Sequence, residues 1–102
     1  MNINIARLMS RLQRLGEIGA LPGGGCCRIA LTDEDKLARD LVCDWMRALD
    51  LEPFVDQMGN VIAVGKGRYD LPPIMIGSHI DTVGTGGLYD GNYGVLSGLE
   101  IV

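Results

Sequence analysis

The sequence contains no long apolar run and no cluster of basic residues. Stretches without Asp, Glu, Lys or Arg, such as residues 71–80 and 91–99, are much shorter than the roughly 18 apolar residues that span a bilayer. Nine Lys and Arg residues stand against thirteen Asp and Glu residues, which gives a net charge of -4. Because binding to a phosphate backbone requires a patch of positive charge, we expect neither a nucleic acid nor a membrane as a partner.

Histidine and cysteine are also scarce, since the chain has one histidine and three cysteines. Cys26, Cys27 and Cys43 are an odd number, and adjacent cysteines rarely form a relaxed disulfide with each other. The first helix-like segment places Arg7 and Arg14 among its apolar residues, whereas a secretory signal has an uninterrupted apolar region. These features predict reduced thiols and a cytoplasmic protein.

The chain has 102 residues, of which 47% are hydrophobic and 22% are charged. This composition is typical of one globular domain with a modest core. Val95 and Leu99 predict a helix that begins at Asn92, but no C-terminal capping signal precedes Val102. We therefore expect residues 1–102 to be the N-terminal, incomplete part of a larger protein.

Two amphipathic helices are predicted in the first half of the chain, over residues 4–15 and from Thr32 to about Asp50. Their apolar faces contain Ile5, Leu8, Leu12 and Leu15 in the first helix, and Leu37, Leu41, Val42, Trp45 and Leu49 in the second. Thr32 and Asp35 have the spacing of a weak capping box. The glycine-rich residues 16–25 between the helices predict a flexible connection.

The segments after the second helix predict β-structure. Phe54 and Val55, and then residues 61–64, are β-prone runs that residues 58–60 (MGN) separate as a hairpin turn. Residues 74–76 (IMI) form a short continuous apolar run, which is typical of a strand buried on both faces. The predicted fold is therefore α/β: two helices, a β-hairpin and a buried strand that leads into a loop and a further helix.

The loop after the predicted strand contains the one histidine and two carboxylates. His79 and Asp81 are two residues apart, so in an extended segment their side chains share a face. Asp81 can then accept a hydrogen bond from one imidazole nitrogen and leave the other nitrogen free for a metal. Asp90 follows a glycine-rich bend and supplies a second carboxylate, and such ligands suit zinc and similar divalent ions.

The same residues also have a simpler interpretation. A single His-x-Asp pair is common in ordinary loops, and a glycine-rich bend is usually only a turn. The spacing of these residues leaves both interpretations open.

The amino-acid sequence of several segments closely resembles that of the N-carbamoyl-L-amino-acid hydrolase and allantoate amidohydrolase family, which includes β-ureidopropionases. The resemblance is carried by residues 72–83 (PPIMIGSHIDTV), 86–91 (GGLYDG) and 94–100 (GVLSGLE). Residues 28–33 (RIALTD) and 55–60 (VDQMGN) are similar to the family in the same order. The similarity covers nearly the whole chain but only about the first quarter of a family member.

This resemblance implies a zinc-peptidase-like catalytic domain with two divalent metal ions, zinc or manganese. It implies that His79 is a ligand of one metal, that Asp81 is the catalytic-site carboxylate which orients His79, and that Asp90 bridges both ions. The family's general-base glutamate and its further ligands have no counterpart in these residues. We therefore expect weak metal binding, or none, and no catalysis by the 102 residues alone.

The resemblance further implies hydrolysis of a C–N bond in a carbamoyl or ureido group, with an N-carbamoyl amino acid or allantoate as the small-molecule substrate. Two other interpretations remain at this stage. The chain could be part of an aminoacylase or dipeptidase of the wider family, or a short non-catalytic assembly module or pseudoenzyme. A homodimer or higher self-association is expected, because an incomplete sheet exposes strand edges and apolar faces.

Overall fold

The computed structural model describes residues 2–102, which form three helices and one two-stranded sheet. In chain order the elements are α1 (Ile5–Gly16), α2 (Asp33–Arg47), β1 (Glu52–Val55), β2 (Val61–Val64) and α3 (Asn92–Ile101). This order confirms the predicted α/β class. Within the described residues, no helix is long and apolar enough to cross a bilayer.

Helix α1 is capped by Asn4, whose side-chain oxygen accepts a hydrogen bond from the Arg7 amide at 2.9 Å. An asparagine at this position satisfies one of the amides that a helix leaves free in its first turn. Leu8, Leu12 and Leu15 are buried as predicted. The prediction for Ile5 on the same face was wrong, since its exposed fraction is 63%.

Helix α2 begins after Thr32, whose hydroxyl accepts a hydrogen bond from the Asp35 amide at 3.3 Å. The helix ends at Arg47, and residues 48–50 form a turn instead of the predicted last helical turn. The buried face contains Ala38 and Val42. The prediction for Leu37 was wrong: it lies about 100° around the helix from Ala38 and is 58% exposed.

Strands β1 and β2 form the predicted antiparallel hairpin, with Glu52 opposite Val64 and Val55 opposite Val61. Asp56 stabilises the connection, because its carboxylate accepts hydrogen bonds from the amides of Met58 at 2.9 Å and Asn60 at 2.8 Å. This is the Asx-type contact that makes aspartate frequent in turns.

One apolar core joins the three helices. Its buried members are Leu8, Leu12, Leu15, Ala38, Val42, Leu96 and Leu99. Since α1 packs directly against α3, the position of the loop before α3 depends on this core.

The predicted buried strand at residues 74–76 is absent from the described structure. Ile74 is 92% exposed and Met75 is 86% exposed. A strand requires a neighbouring strand for its amides and carbonyls, and the two strands of the hairpin pair only with each other. The apolar run therefore lies uncovered, and the loop that follows it is held by helices and other loops instead of by a sheet.

Candidate metal centre

Glycines on α3 allow the segment that contains His79 to lie against this helix. A Cβ atom on Gly91 would be 2.5 Å from the His79 ring, and one on Gly98 would be 2.8 Å from Ile76 Cγ2. Real Cβ atoms do not approach this closely, so only glycine fits at these positions. Residues 76–79 consequently run along α3 in the opposite direction, and the imidazole lies at the N-terminal end of the helix.

One imidazole nitrogen of His79 faces Asp81. His79 Nδ1 lies 3.2 Å from Asp81 Oδ1 and 3.1 Å from the Asp81 backbone carbonyl. Both oxygens accept hydrogen bonds, so they favour the tautomer that carries its proton on Nδ1. In a neutral ring this leaves the lone pair of Nε2 available for a ligand.

The other imidazole nitrogen faces Asp90. The distance from His79 Nε2 to Asp90 Oδ2 is 3.9 Å, within the upper limit of about 4.2 Å that the sum of a Zn–N and a Zn–O bond sets for two ligands of one ion, although tetrahedral ligands lie closer together. A direct hydrogen bond is too long at this distance, while one divalent ion can contact both atoms. The two predicted ligands and the orienting carboxylate therefore lie together in the structure.

The three side chains form an open and incomplete site. The exposed fraction of the side chain is 52% for His79, 44% for Asp81 and 87% for Asp90. Among residues 2–102, no group of three or more His, Cys, Asp or Glu side chains is arranged to hold a metal ion by itself. Any ion held here would keep several positions for water or for donors from elsewhere.

The loop that carries these residues is tied to the glycine-rich connection after α1. The amide of Cys26 donates to the Gly86 carbonyl, and the amide of Gly86 donates to the Cys26 carbonyl, both at 2.9 Å. This pair of hydrogen bonds fixes a connection that the sequence predicts to be flexible. The glycines of that connection serve a turn geometry, because Gly19, Gly23 and Gly25 have positive φ angles.

A cleft of about 230 Å³ opens beside the imidazole. Its wall includes His79 and Asp81 from the ligand loop, Arg39 from α2, and Asn60 from the hairpin connection. Arg39 is held in place because its Nη2 donates to the Gly59 carbonyl at 2.6 Å. Apolar side chains, among them Met46 and Val61, form the rest of the wall, so the space next to His79 has both polar and apolar sides.

Arg28 is the residue near this site that the motif reasoning missed. Its side chain is fully buried and donates hydrogen bonds to the Ile80 carbonyl at 2.8 Å and to Asn92 Oδ1 at 3.1 Å. The available sequence signal is that Arg28 is the only charged residue between Glu17 and Asp33. A single charge in an apolar or glycine-rich stretch indicates either a solvated loop or a specific buried contact, and the sequence cannot separate the two.

Comparisons with known proteins agree over nearly the whole chain. An N-carbamoyl-L-amino-acid amidohydrolase of Pseudomonas sp. (strain NS671) is 46% identical over 101 residues, which are 98% of this chain and 24% of that protein. An allantoate amidohydrolase of Bacillus subtilis (strain 168) is 38% identical over 89 residues, 86% of this chain and 22% of that protein. No family model matches.

The solved structure of a hydantoinase/carbamoylase family amidase from Burkholderia ambifaria is also similar. It superimposes with a TM-score of 0.93 at 46% identity, over 97% of this chain and 25% of that structure. The chain therefore spans about a quarter of the length of the relatives and structures that it matches.

Proposed function

Because this chain belongs to the N-carbamoyl-L-amino-acid hydrolase and allantoate amidohydrolase family, we propose that it is the N-terminal part of a metal-dependent amidohydrolase. The enzyme would cleave a C–N bond in a carbamoyl or ureido group. The single observation that carries the proposal is the position of the His79 ring between two carboxylates, with Asp81 at Nδ1 and Asp90 at Nε2.

The donors of this site suit zinc or manganese. His79 would hold one ion through Nε2, and the two oxygens of the Asp90 carboxylate would allow it to bridge two ions. Two metal ions, when bound, would polarise the substrate carbonyl and lower the pKa of the attacking water molecule.

The residues of this chain would bind the metal ions and orient the ligands. They would not transfer the proton of the attacking water. Asp81 keeps the His79 proton on Nδ1, so that Nε2 points toward Asp90. The family's general-base glutamate has no counterpart among these 102 residues. The chain would therefore contribute ligands to a complete active site and would have no hydrolytic activity by itself.

Two relatives suggest the class of substrate. One is named for N-carbamoyl-L-amino acids and the other for allantoate, and both molecules present a C–N bond next to a carbonyl. We favour the N-carbamoyl amino acid, since the relative of that name has the higher identity. A homodimer and a cytoplasmic location remain part of the proposal.

Calorimetric titration with Zn²⁺ and with Mn²⁺ tests the metal centre. We expect weak binding by the wild-type chain and at least tenfold weaker binding, or none, by His79→Ala and Asp90→Ala, because each variant removes one of the two direct ligands. Asp70→Ala is the matched control, as it removes an exposed carboxylate outside the site. Equal binding by the wild type, His79→Ala and Asp90→Ala would contradict the proposed site.

A further inference from the structure

Arg28 is a buried cation without a carboxylate partner. Its exposed fraction is 0%, and none of the ion pairs formed within residues 2–102 includes it. Removing a charge from water is costly unless other groups compensate. Groups around Arg28 must therefore compensate its charge.

Oxygen atoms and one sulfur atom surround the guanidinium. Nη1 donates to the carbonyls of Leu15 at 2.9 Å and Ile18 at 2.7 Å, and it lies 3.2 Å from Cys26 Sγ. Leu15 belongs to the last turn of α1, where the helix presents the negative end of its dipole. These acceptors compensate the charge and anchor Arg28 to the end of α1.

The other two nitrogens of the guanidinium contact the two segments that contain the proposed metal ligands. Nε donates to the carbonyl of Ile80 at 2.8 Å, and Ile80 lies between His79 and Asp81. Nη2 donates to Asn92 Oδ1 at 3.1 Å, and Asn92 follows Asp90 by two residues. One rigid planar group thus spans the two segments that carry the ligands.

Asn92 continues this arrangement beyond the guanidinium. It is fully buried, and its Nδ2 donates to the carbonyl of Leu88 at 3.0 Å. Leu88 and Asn92 are on either side of Asp90 in the sequence. The backbone on both sides of the Asp90 ligand is therefore fixed through one asparagine that Arg28 holds.

We propose that Arg28 is a positioning residue that sets the separation of His79 and Asp90 through Ile80 and Asn92. The proposal rests on the metal centre described under the proposed function. It assigns no contact with substrate to Arg28. Lysine cannot replace it, because an ammonium group lacks the planar fork that reaches Ile80 and Asn92 at the same time.

Hydrogen exchange on the metal-free chain tests the positioning itself. We compare the amides of Thr82 and Tyr93, near the ligands, with the amide of Leu41 in α2. In Arg28→Lys, exchange at Thr82 and Tyr93 should increase at least tenfold more than exchange at Leu41. In Asn92→Ala, which removes only the contact on the Asp90 side, exchange at Tyr93 should increase by the same margin. Leu8→Ala is the control, since Leu8 is buried in the core and does not line the cleft beside His79, and it should accelerate exchange at all three amides to the same extent.

Parallel acceleration at all three amides in Arg28→Lys and Asn92→Ala would overturn the proposal, because it would show only a loss of global stability. If Arg28→Lys does not fold by circular dichroism, Asn92→Ala decides, because it keeps the arginine and removes only the contact on the Asp90 side.

Calorimetric titration with Mn²⁺ is the second arm. Groups that orient metal ligands typically change affinity by about 10- to 100-fold when they are removed, so Asn92→Ala should bind at least tenfold more weakly than Leu8→Ala. Equal affinity would overturn the positioning role while the metal centre stands. If the wild-type chain binds no Mn²⁺, the exchange experiment decides the positioning role, and equal acceleration at all three amides overturns it.

Discussion

Glu100 is a carboxylate buried between α1 and α3, where its exposed fraction is 7%. Arg7 donates to both of its oxygens, from Nε at 2.8 Å and from Nη2 at 2.6 Å, and the Asn4 amide donates at 3.0 Å. Such charge-assisted, bidentate contacts are stronger than neutral hydrogen bonds. They lower the pKa of Glu100 from 4.5 to about 2, with the Arg7 hydrogen bond as the largest cause.

The lowered pKa predicts a specific loss of stability in acid. A carboxylate whose pKa is lower in the folded state stabilises the fold above its unfolded pKa, here 4.5, and this stabilisation is lost as the pH falls toward 2. Glu100→Gln should be less stable than the wild type at neutral pH, and its stability should change less between pH 4.5 and 2. Urea unfolding at a series of pH values measures both effects.

Glu52→Gln serves as the control for this series, because Glu52 is exposed on the hairpin and has no ion pair among those found in the described chain. A wild-type profile that coincides with the Glu100→Gln profile would show that Arg7 does not hold the carboxylate in solution.

At the scale of elements, Gly91 allows the start of α3 to lie against the segment that contains His79. Gly91 is the N-cap of α3 and has a φ angle of 70°, a backbone conformation that residues other than glycine rarely adopt. Its neighbour across the contact is the His79 ring. The start of the helix and the position of the imidazole therefore depend on the same residue.

Gly91→Ala should destabilise the chain by about 2 kcal/mol, since it adds left-handed backbone strain to a collision with His79. Gly87→Ala is the matched control in the same loop, because Gly87 is exposed and a Cβ there meets no atom within 4 Å. The control should change stability by about 0.5 kcal/mol or less. Urea unfolding compares the two variants, and equal stabilities would contradict the close contact.

The elements that the sequence predicted well depend on local signals. The cap at Thr32, the turn at residues 58–60 and the start of α3 are set by neighbours in the sequence, and each lies where it was expected. Leu37 was assigned to a buried face from its spacing along a helix, and residues 74–76 to a buried strand from their continuous apolarity. Their exposure depends on what covers them in three dimensions, and the periodicity of a sequence does not contain that information.

Part of the candidate site could likewise be predicted from the sequence, and part of it could not. His79, Asp81 and Asp90 could be named from the chemistry of their side chains and from the resemblance of their segment to a family. The role of Arg28 could not be named, because its partners Ile80 and Asn92 are distant in the sequence and are contacted through a carbonyl and an amide. Neither group leaves a recognisable motif.

At the scale of the whole molecule, the main feature is an apolar segment that no other part of the described chain covers. The exposed fractions are 71% for Leu71, 92% for Ile74 and 86% for Met75. Contiguous exposed apolar residues usually mark a surface that another protein segment covers. In the chain alone, we expect a second copy to cover this segment.

Sedimentation velocity tests this expectation. The wild-type chain should shift from monomer to dimer or larger species as its concentration rises, and Ile74→Lys with Met75→Lys should remain monomeric over the same range. Met58→Lys is the control, because Met58 is 86% exposed but lies in the hairpin turn, outside the apolar segment. A monomeric wild type at every concentration, or equal behaviour of all variants, would contradict the prediction.

The contacts of Arg28 also have a consequence for the order of folding. Ile80 is 52 positions and Asn92 64 positions further along the sequence, and contacts across such separations require the closure of long loops. A nascent chain that has reached only the hairpin can already form α1 and α2. It cannot yet form the contacts of the Arg28 guanidinium to Ile80 and Asn92, so the region around the ligands must assemble late, after residues 80–92 have been synthesised.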